Sequence, residues 1–428
     1  MSEAVDLSKI VVPFGRTSVS LEIPKARMLG IASPRPAKAL AQKELQVAID
    51  HPIGAKRLSQ IVRPSAHVAI IVDDYTRPTP TAEILQLVVS ELKKGGVSLD
   101  SIDVIIGGGL HIPTTMEQIP TVVGEELARS LRVFSHECNS PSVLMDLGRS
   151  SRGTPIKINR RVVEADFRVS IGLIEPHQRA GFSGGAKSIV PAVSSRETIN
   201  YNHSMRLPIK EALGKVTGNP VHEDMEEIAR KVGVDFIVNV VLNDRKKVVK
   251  VVAGDLIAAH RAGVEFARKM MEFVVDKEPE IVVLSPGGHP RDVNLWQTEG
   301  KGLTRTWGSL KKGSEIIVIS ECSQGVGHPE LENWLFDSTP EEIRARFRNE
   351  EYTLIGEKAL NLAELSEYAK LTFYSPGLDR RILSKLPVSF TDNPQKKLEQ
   401  TLETAPEDSR VLVVPNAPAV LTTVKNGF

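Results

Sequence analysis

The sequence predicts an α/β protein of two domains, each built on a mostly parallel sheet, with the active site expected in the cleft between them. Three observations predict this. Short β-branched runs are continuously apolar, as strands buried on both faces must be. Helical stretches separate these runs, and strand-helix alternation implies parallel pairing through right-handed crossovers. The alternation halts and restarts across the acidic, proline-containing Asp276-Lys277-Glu278-Pro279-Glu280, which divides the chain into residues 1–276 and 277–428. At 428 residues two domains are the default.

In chain order, His67-Val72 is the first clear strand and ends in Asp73-Asp74-Tyr75-Thr76-Arg77-Pro78. A helix follows over Thr81-Lys94, then the strand Ile102-Ile106, which ends in Gly107-Gly108-Gly109-Leu110-His111. A second helix is expected over Thr115-Leu131, with Glu117 in its first turn as an N-terminal signal. Phe167-Leu173 is the third strand and ends in Glu175-Pro176-His177. Two β runs around Asn243-Asp244 read as an antiparallel hairpin, followed by a helix over Leu256-Met271. Beyond the boundary, strands are expected at Ile281-Leu284, Glu315-Ser320, Leu371-Tyr374 and Val411-Val414, with helices at Pro340-Arg348 and Lys358-Tyr368 between them. In such sheets ligands collect beyond the carboxyl ends of the strands, where the first three loops lie.

Composition narrows the function. The chain is 41% hydrophobic and 25% charged with a net charge of +1, and no Lys/Arg run offers the positive patch that nucleic acid needs. Two distant cysteines, Cys138 and Cys322, make neither a disulfide framework nor a zinc cluster and suit a reducing compartment. The first twenty residues lack the pattern of a secretory signal, and no apolar run reaches the ~20 residues of a membrane helix, so a cytoplasmic protein is expected.

Each loop has a bland reading beside a chemical one. Asp73 to Pro78 makes an ordinary strand-end turn, yet Arg77 held there suits a carboxylate or phosphate. The glycine run before His111 is no dinucleotide fingerprint, and a lone loop histidine is more often structural than catalytic. His177 repeats the arrangement on a second strand, and two such histidines can serve as paired acid and base on opposite faces of a substrate. Ser183-Gly184-Gly185-Ala186-Lys187 reads as a backbone phosphate nest or as a glycine turn with a surface lysine. His203 is a candidate metal ligand or a helix-end histidine; alone it makes no metal signature, so most ligands would come from elsewhere.

The combination of Asp74-Tyr75-Thr76-Arg77-Pro78, Gly109-Leu110-His111, Glu175-Pro176-His177, the Gly-Gly-x-Lys ending at Lys187, and Asn202-His203 resembles the nickel-pincer-nucleotide lactate racemase family. The resemblance extends to Trp296-Gln297 and Lys301 and so covers most of the chain. It implies a pyridinium mononucleotide whose two sulfur-bearing arms and ring carbon hold nickel, bonded to Lys187 through a thioamide, with His203 as the protein's one nickel ligand. It implies His111 and His177 as the acid/base pair and Asp74, Tyr75, Thr76 and Arg77 as cofactor contacts, Arg77 also facing substrate. Gln297 and Lys301 would hold the substrate carboxylate, beside Trp296. The implied reaction inverts C2 of a 2-hydroxy acid by proton-coupled hydride transfer, with cofactor-making proteins as partners and a homo-oligomer left open.

One departure stands out. The family's usual tyrosine-glutamine pair, with a lysine three residues on, is here Trp296-Gln297 with Lys301 four residues on. Tryptophan removes a hydroxyl and adds bulk, which points to a hydroxy acid larger than lactate, such as a dicarboxylate or sugar acid. Two rival readings are a hydrolase or lyase using His111, His177 and His203 on a conventional metal, and a non-catalytic small-molecule-binding protein.

Overall fold

The computed structural model describes residues 6–425. The chain forms two compact units, Pro36–Met270 and a discontinuous one of Met1–Arg35 with Met271–Phe428.

The unit Pro36–Met270 is built on a six-stranded sheet. Its strands lie in the order Arg132–Ser135, Ile102–Gly107, Val68–Asp73, Phe167–Leu173, Phe236–Leu242 and Val248–Gly254. All neighbours are parallel except the last two, which form the expected hairpin around Asn243-Asp244. The central strands are mostly apolar and buried almost along their length, as strands covered on both faces must be. The helix Thr81–Lys94 buries Ile84, Leu85, Val88 and Leu92, a helical stripe that faces the sheet in one continuous core. Truncating one of these, for example Leu85→Ala, removes about 2–5 kcal/mol.

The helix expected over Thr115-Leu131 is broken. The structure has Ile119–Val123 and Glu125–Ser130, separated by Gly124 at φ +87°. Pro120 explains the late start, since it is tolerated only in a first turn, and left-handed Gly124 ends that piece.

The other unit carries a second six-stranded parallel sheet, in the order Val388–Phe390, Lys370–Tyr374, Glu315–Ile319, Ile281–Leu284, Val411–Val414 and Met28–Ile31. Its four strands read from the sequence are all present. The expected division placed residues 1–35 in the first domain, whereas here the described residues 6–35 group with the C-terminal unit. Two interactions account for it. Met28–Ile31 pairs in parallel beside Val411–Val414 as an edge strand. The hairpin Leu7–Phe14/Thr17–Pro24 then turns Ile10, Val12, Leu21 and Ile23 into the same core as Ile281, Val283, Ile317 and Val411. Among the described residues no helix is long and apolar enough to cross a membrane.

Candidate active site

In the unit Pro36–Met270 the chain builds outward from Val68–Asp73 in both directions, so the crevice between that strand and Phe167–Leu173 is a topological switch point. The loops after Val68–Asp73, Ile102–Gly107 and Phe167–Leu173 meet there and are tied to one another. Asp73 Oδ2 accepts the Thr79 hydroxyl at 2.7 Å and, across the crevice, the Leu173 amide at 3.0 Å. Burial pushes the Asp73 carboxyl up, with Arg77 opposing. The Gly109 amide donates to the Ala192 carbonyl at 3.0 Å, docking the glycine turn on the segment beyond Lys187.

Asp74 is buried. Its Oδ1 accepts the Thr76 amide at 3.2 Å and the Thr76 hydroxyl at 2.6 Å, while Oδ2 accepts from Nδ1 of His111. Arg77 Nη1 donates to the Thr76 hydroxyl at 2.8 Å. Burial alone would raise the Asp74 carboxyl; the charge and hydrogen bond of His111, with Arg77 and Thr76, outweigh it and hold the group well below the usual carboxylate range. An ionised carboxylate only accepts, so Nδ1 of His111 carries the hydrogen and Nε2 is the acceptor nitrogen of the neutral ring. Tyr75 packs against the unit's apolar core.

His177 is held the other way round. It ends the two-residue strand Pro176–His177, which pairs with Gly181–Phe182, and the tight loop between them aims the Arg179 and Ala180 amides at Nδ1, at 3.2 and 3.1 Å. A backbone amide can only donate, so Nδ1 is the acceptor and the hydrogen of the neutral ring lies on Nε2. That nitrogen is 3.4 Å from Lys187 Nζ.

Lys187 sits on the short turn Gly185–Ser188. Gly184 and Gly185 both have positive φ, and a Cβ on Gly184 would lie 2.8 Å from Asn239 Oδ1. The phosphate-nest reading loses two donors here. The Gly185 amide is spent on Asn239 Oδ1 at 2.8 Å and the Lys187 amide on the Gly184 carbonyl at 3.2 Å.

His203 is buried on the helix Arg196–Ser204, which starts at Ser195, whose hydroxyl accepts the Thr198 amide at 3.1 Å. Its Nδ1 lies 3.0 Å from the Ile199 carbonyl, one turn back, and donates to it. Nε2 is thereby left as the acceptor, the state in which imidazole ligates a metal, with the carbonyl fixing ring and tautomer. Neighbouring Asn202 donates to Asp224 at 2.8 Å, which also accepts from Ser150 and Thr154 and anchors the helix. A single histidine so prepared fits a metal whose other ligands come from a bound group. A conventional centre on His111, His177 and His203 is not formed: among the described residues the one close set of three ligating side chains is His222, Glu226 and His260.

Trp296, Gln297 and Lys301 belong to the other unit and are buried. The helix there starts at Asn294, whose Oδ1 accepts the Gln297 amide at 2.9 Å. It then widens into a π turn over Glu299–Leu303, where the Thr304 amide reaches back five residues to Glu299. A π turn takes one more residue than an α turn, which matches the extra residue between Gln297 and Lys301. Trp296 stacks on His328, with ring centroids 5.0 Å apart, and Lys358 Nζ lies 4.8 Å over its ring. Lys358 also pairs with buried Glu299, which accepts from Asn361 at 3.1 Å.

Sequence reasoning missed Asn239. The signal for Asn239 was present: it is the lone polar residue in the strand Phe236–Leu242, and a polar group buried there must have a partner.

Comparison with known proteins identifies the family. Residues 14–214 match the lactate racemase N-terminal domain and residues 274–422 the lactate racemase C-terminal domain. The chain is 30% identical to a lactate racemase of Thermoanaerobacterium thermosaccharolyticum, over 98% of this chain and all of that one. It is 28% identical to a lactate racemase of Lactiplantibacillus plantarum, over 96% and 99%. The solved lactate racemase apoprotein from T. thermosaccharolyticum superposes with a TM-score of 0.84 at 28% identity, covering 97% of this chain and 100% of that one. A Thermotoga maritima protein shares the fold, with a TM-score of 0.72 at 17% identity, covering 91% and 100%. On matches to both of its domains and 30% identity over nearly its whole length, the chain belongs to the lactate racemase family of isomerases.

Proposed function

We propose that the protein is a racemase or epimerase that inverts C2 of a 2-hydroxy acid with a nickel-pincer nucleotide bonded to Lys187. The observation that carries the reading is the opposed tautomers of His111 and His177 at one switch point. With both rings neutral, one offers an acceptor Nε2 and the other a donor Nε2–H. A base and an acid prepared in this way suit a reaction that removes a hydroxyl proton and returns one.

His111, with Asp74 behind it, takes the hydroxyl proton at Nε2 and shares the resulting charge with that carboxylate. His177 supplies a proton at its own Nε2, and the Arg179 and Ala180 amides keep its ring oriented. Arg77 holds an anionic group of cofactor or substrate through its planar fork. Lys187 is the attachment point and His203 Nε2 the protein's ligand to the metal. When bound, the nucleotide supplies the acceptor and donor for the C2 hydride. Gln297 and Lys301 are assigned to the substrate carboxylate on the family pattern, and the π turn supports Lys301 in that role despite its altered spacing.

The relatives are named for lactate, which is therefore the first acid to test. The expectation of a larger acid rests on Trp296, whose indole is clamped by His328 and Lys358 and brings no hydroxyl to the substrate. The test is coexpression with cofactor-making proteins, then a screen of single enantiomers of 2-hydroxy acids from lactate to dicarboxylates and sugar acids, read by optical inversion. Nucleotide mass on Lys187 with inversion of at least one acid is expected. A loaded chain that inverts none overturns the activity, and absence of mass on Lys187 overturns the attachment.

A further inference from the structure

Beneath the loop that carries His177 and Lys187 lies a buried pair of other histidines. His222 of the helix Pro220–Val232 and His260 of the helix Ala258–Met271 are 0% and 1% exposed, and their rings stack with centroids 5.5 Å apart and planes 15° apart. Both point their hydrogens at carbonyls of that loop. His222 Nδ1 donates to the Ala180 carbonyl and His260 Nε2 to the Ser183 carbonyl, each at 2.9 Å. Burial, with the neighbouring His222 second, pushes His260 down to about 3, so its ring carries one hydrogen, the one given to Ser183.

With Glu226, the pair is also the one set among the described residues with metal-ligand character. Arg261 argues against an ion there. Its Nη2 lies 2.9 Å from Glu226 Oε1 and its Nη1 3.3 Å from His222 Nε2, so a guanidinium already supplies the positive charge. What remains is support of the loop.

The two contacts lead to different groups. The residue whose carbonyl His222 holds, Ala180, gives its own amide to Nδ1 of His177. Ser183, held by His260, precedes the Gly184-Gly185 turn that ends at Lys187, and a Cβ on Gly185 would lie 2.7 Å from the His260 ring. We propose that His222 and His260 are positioning residues: His222 keeps the amide that sets the tautomer of His177, and His260 fixes the turn that presents Lys187. This inference rests on the reading of His177 and Lys187 given above.

The donors differ, and that makes the test specific. A glutamine amide reproduces Nε2 of histidine, and an asparagine amide reproduces Nδ1. His260→Gln should therefore restore what His260→Leu loses, and His260→Asn should not; at His222 the rescuing residue is asparagine. The readouts are nucleotide mass on Lys187 after coexpression and kcat per loaded chain. His260→Leu is expected to lower loading, and His222→Leu to lower kcat per loaded chain, each by about tenfold or more, since a misplacement of about 1 Å has such effects. Leucine variants that load and turn over as the parent does, or glutamine and asparagine variants that do not differ, overturn the proposal. Should the parent chain itself acquire no mass on Lys187, the functional reading fails, and hydrogen exchange of amides 180–188 in the chain alone still decides the inference. Faster exchange in His260→Leu than in His260→Gln supports it, and equal exchange overturns it.

Discussion

Asp74 and His111 stand at the ends of adjacent parallel strands, and the carboxylate of one accepts the Nδ1 hydrogen of the other. The glycine run makes this possible. A Cβ on Gly107 would lie 2.8 Å from that of Ala192, Gly109 has a φ of +57°, and the His111 amide closes a turn back to the Gly108 carbonyl at 3.0 Å. Two loops far apart in sequence thereby make one acid/base unit.

Asp74→Asn tests that unit. An amide turned to place its NH2 at Nδ1 drives the ring hydrogen to Nε2 and removes the base. By analogy with carboxylate-to-amide changes behind catalytic histidines, kcat should fall on the order of a thousandfold with loading of Lys187 retained. Steady-state rates from each enantiomer check this; a loss under about tenfold would show that Asp74 does not set the tautomer.

Acid should destabilise the fold before ordinary carboxylates titrate. Burial holds His136 down to about 4 and His260 down to about 3, against 6.5 for a free histidine. Between those values and 6.5 the unfolded chain binds protons that the folded chain does not. Stability is therefore full above 6.5 and declines as pH falls, by about 1.4 kcal/mol per pH unit for each histidine. Asp74, also depressed, adds a further loss at lower pH, as its carboxylate is protonated. Urea midpoints at pH 7 and pH 5 measure the first effect, and His260→Gln should shrink the difference.

Lys358 and Glu299 form a buried ion pair beneath Trp296, with side chains 9% and 2% exposed. Lys358→Met leaves Glu299 charged and buried, and the expected loss is about 3–5 kcal/mol. Adding Glu299→Gln should recover much of it. Denaturation midpoints of the parent, single and double variants decide the matter, and a neutral single variant would mean that Glu299 finds another partner.

Lys301→Met should raise KM for the hydroxy acid by about tenfold to a hundredfold, the worth of one hydrogen bond to a charged group. An unchanged KM would remove Lys301 from the carboxylate site and leave the π turn without a role in substrate binding.

Much of this was legible in the sequence because the strands are buried on both faces. Phe167–Leu173, Ile281–Leu284 and Val411–Val414 fall where continuous apolar runs placed them. The strand-end loops were legible for the same reason; the structure pairs Asp74 with His111 and His177 with Lys187, and docks the glycine turn before His111 on the segment beyond Lys187. The tautomers were not legible, because they depend on which backbone groups a folded loop turns toward a ring. The break at Gly124 lay hidden in an otherwise helical pattern. The allegiance of residues 6–35 was hidden too, since pairing between Met28–Ile31 and Val411–Val414 spans nearly the whole chain and leaves no local trace.

That pairing has a consequence for how the protein is made. On a ribosome, Met28–Ile31 is made long before the strand it joins. Until then the apolar faces of Leu7–Phe14 and Thr17–Pro24 have no sheet to cover. Pro36–Met270, by contrast, is a continuous stretch that can fold during synthesis. Completion of the discontinuous unit then waits on a pairing of high contact order. A nascent chain stalled before Val411 would present that hairpin to chaperones.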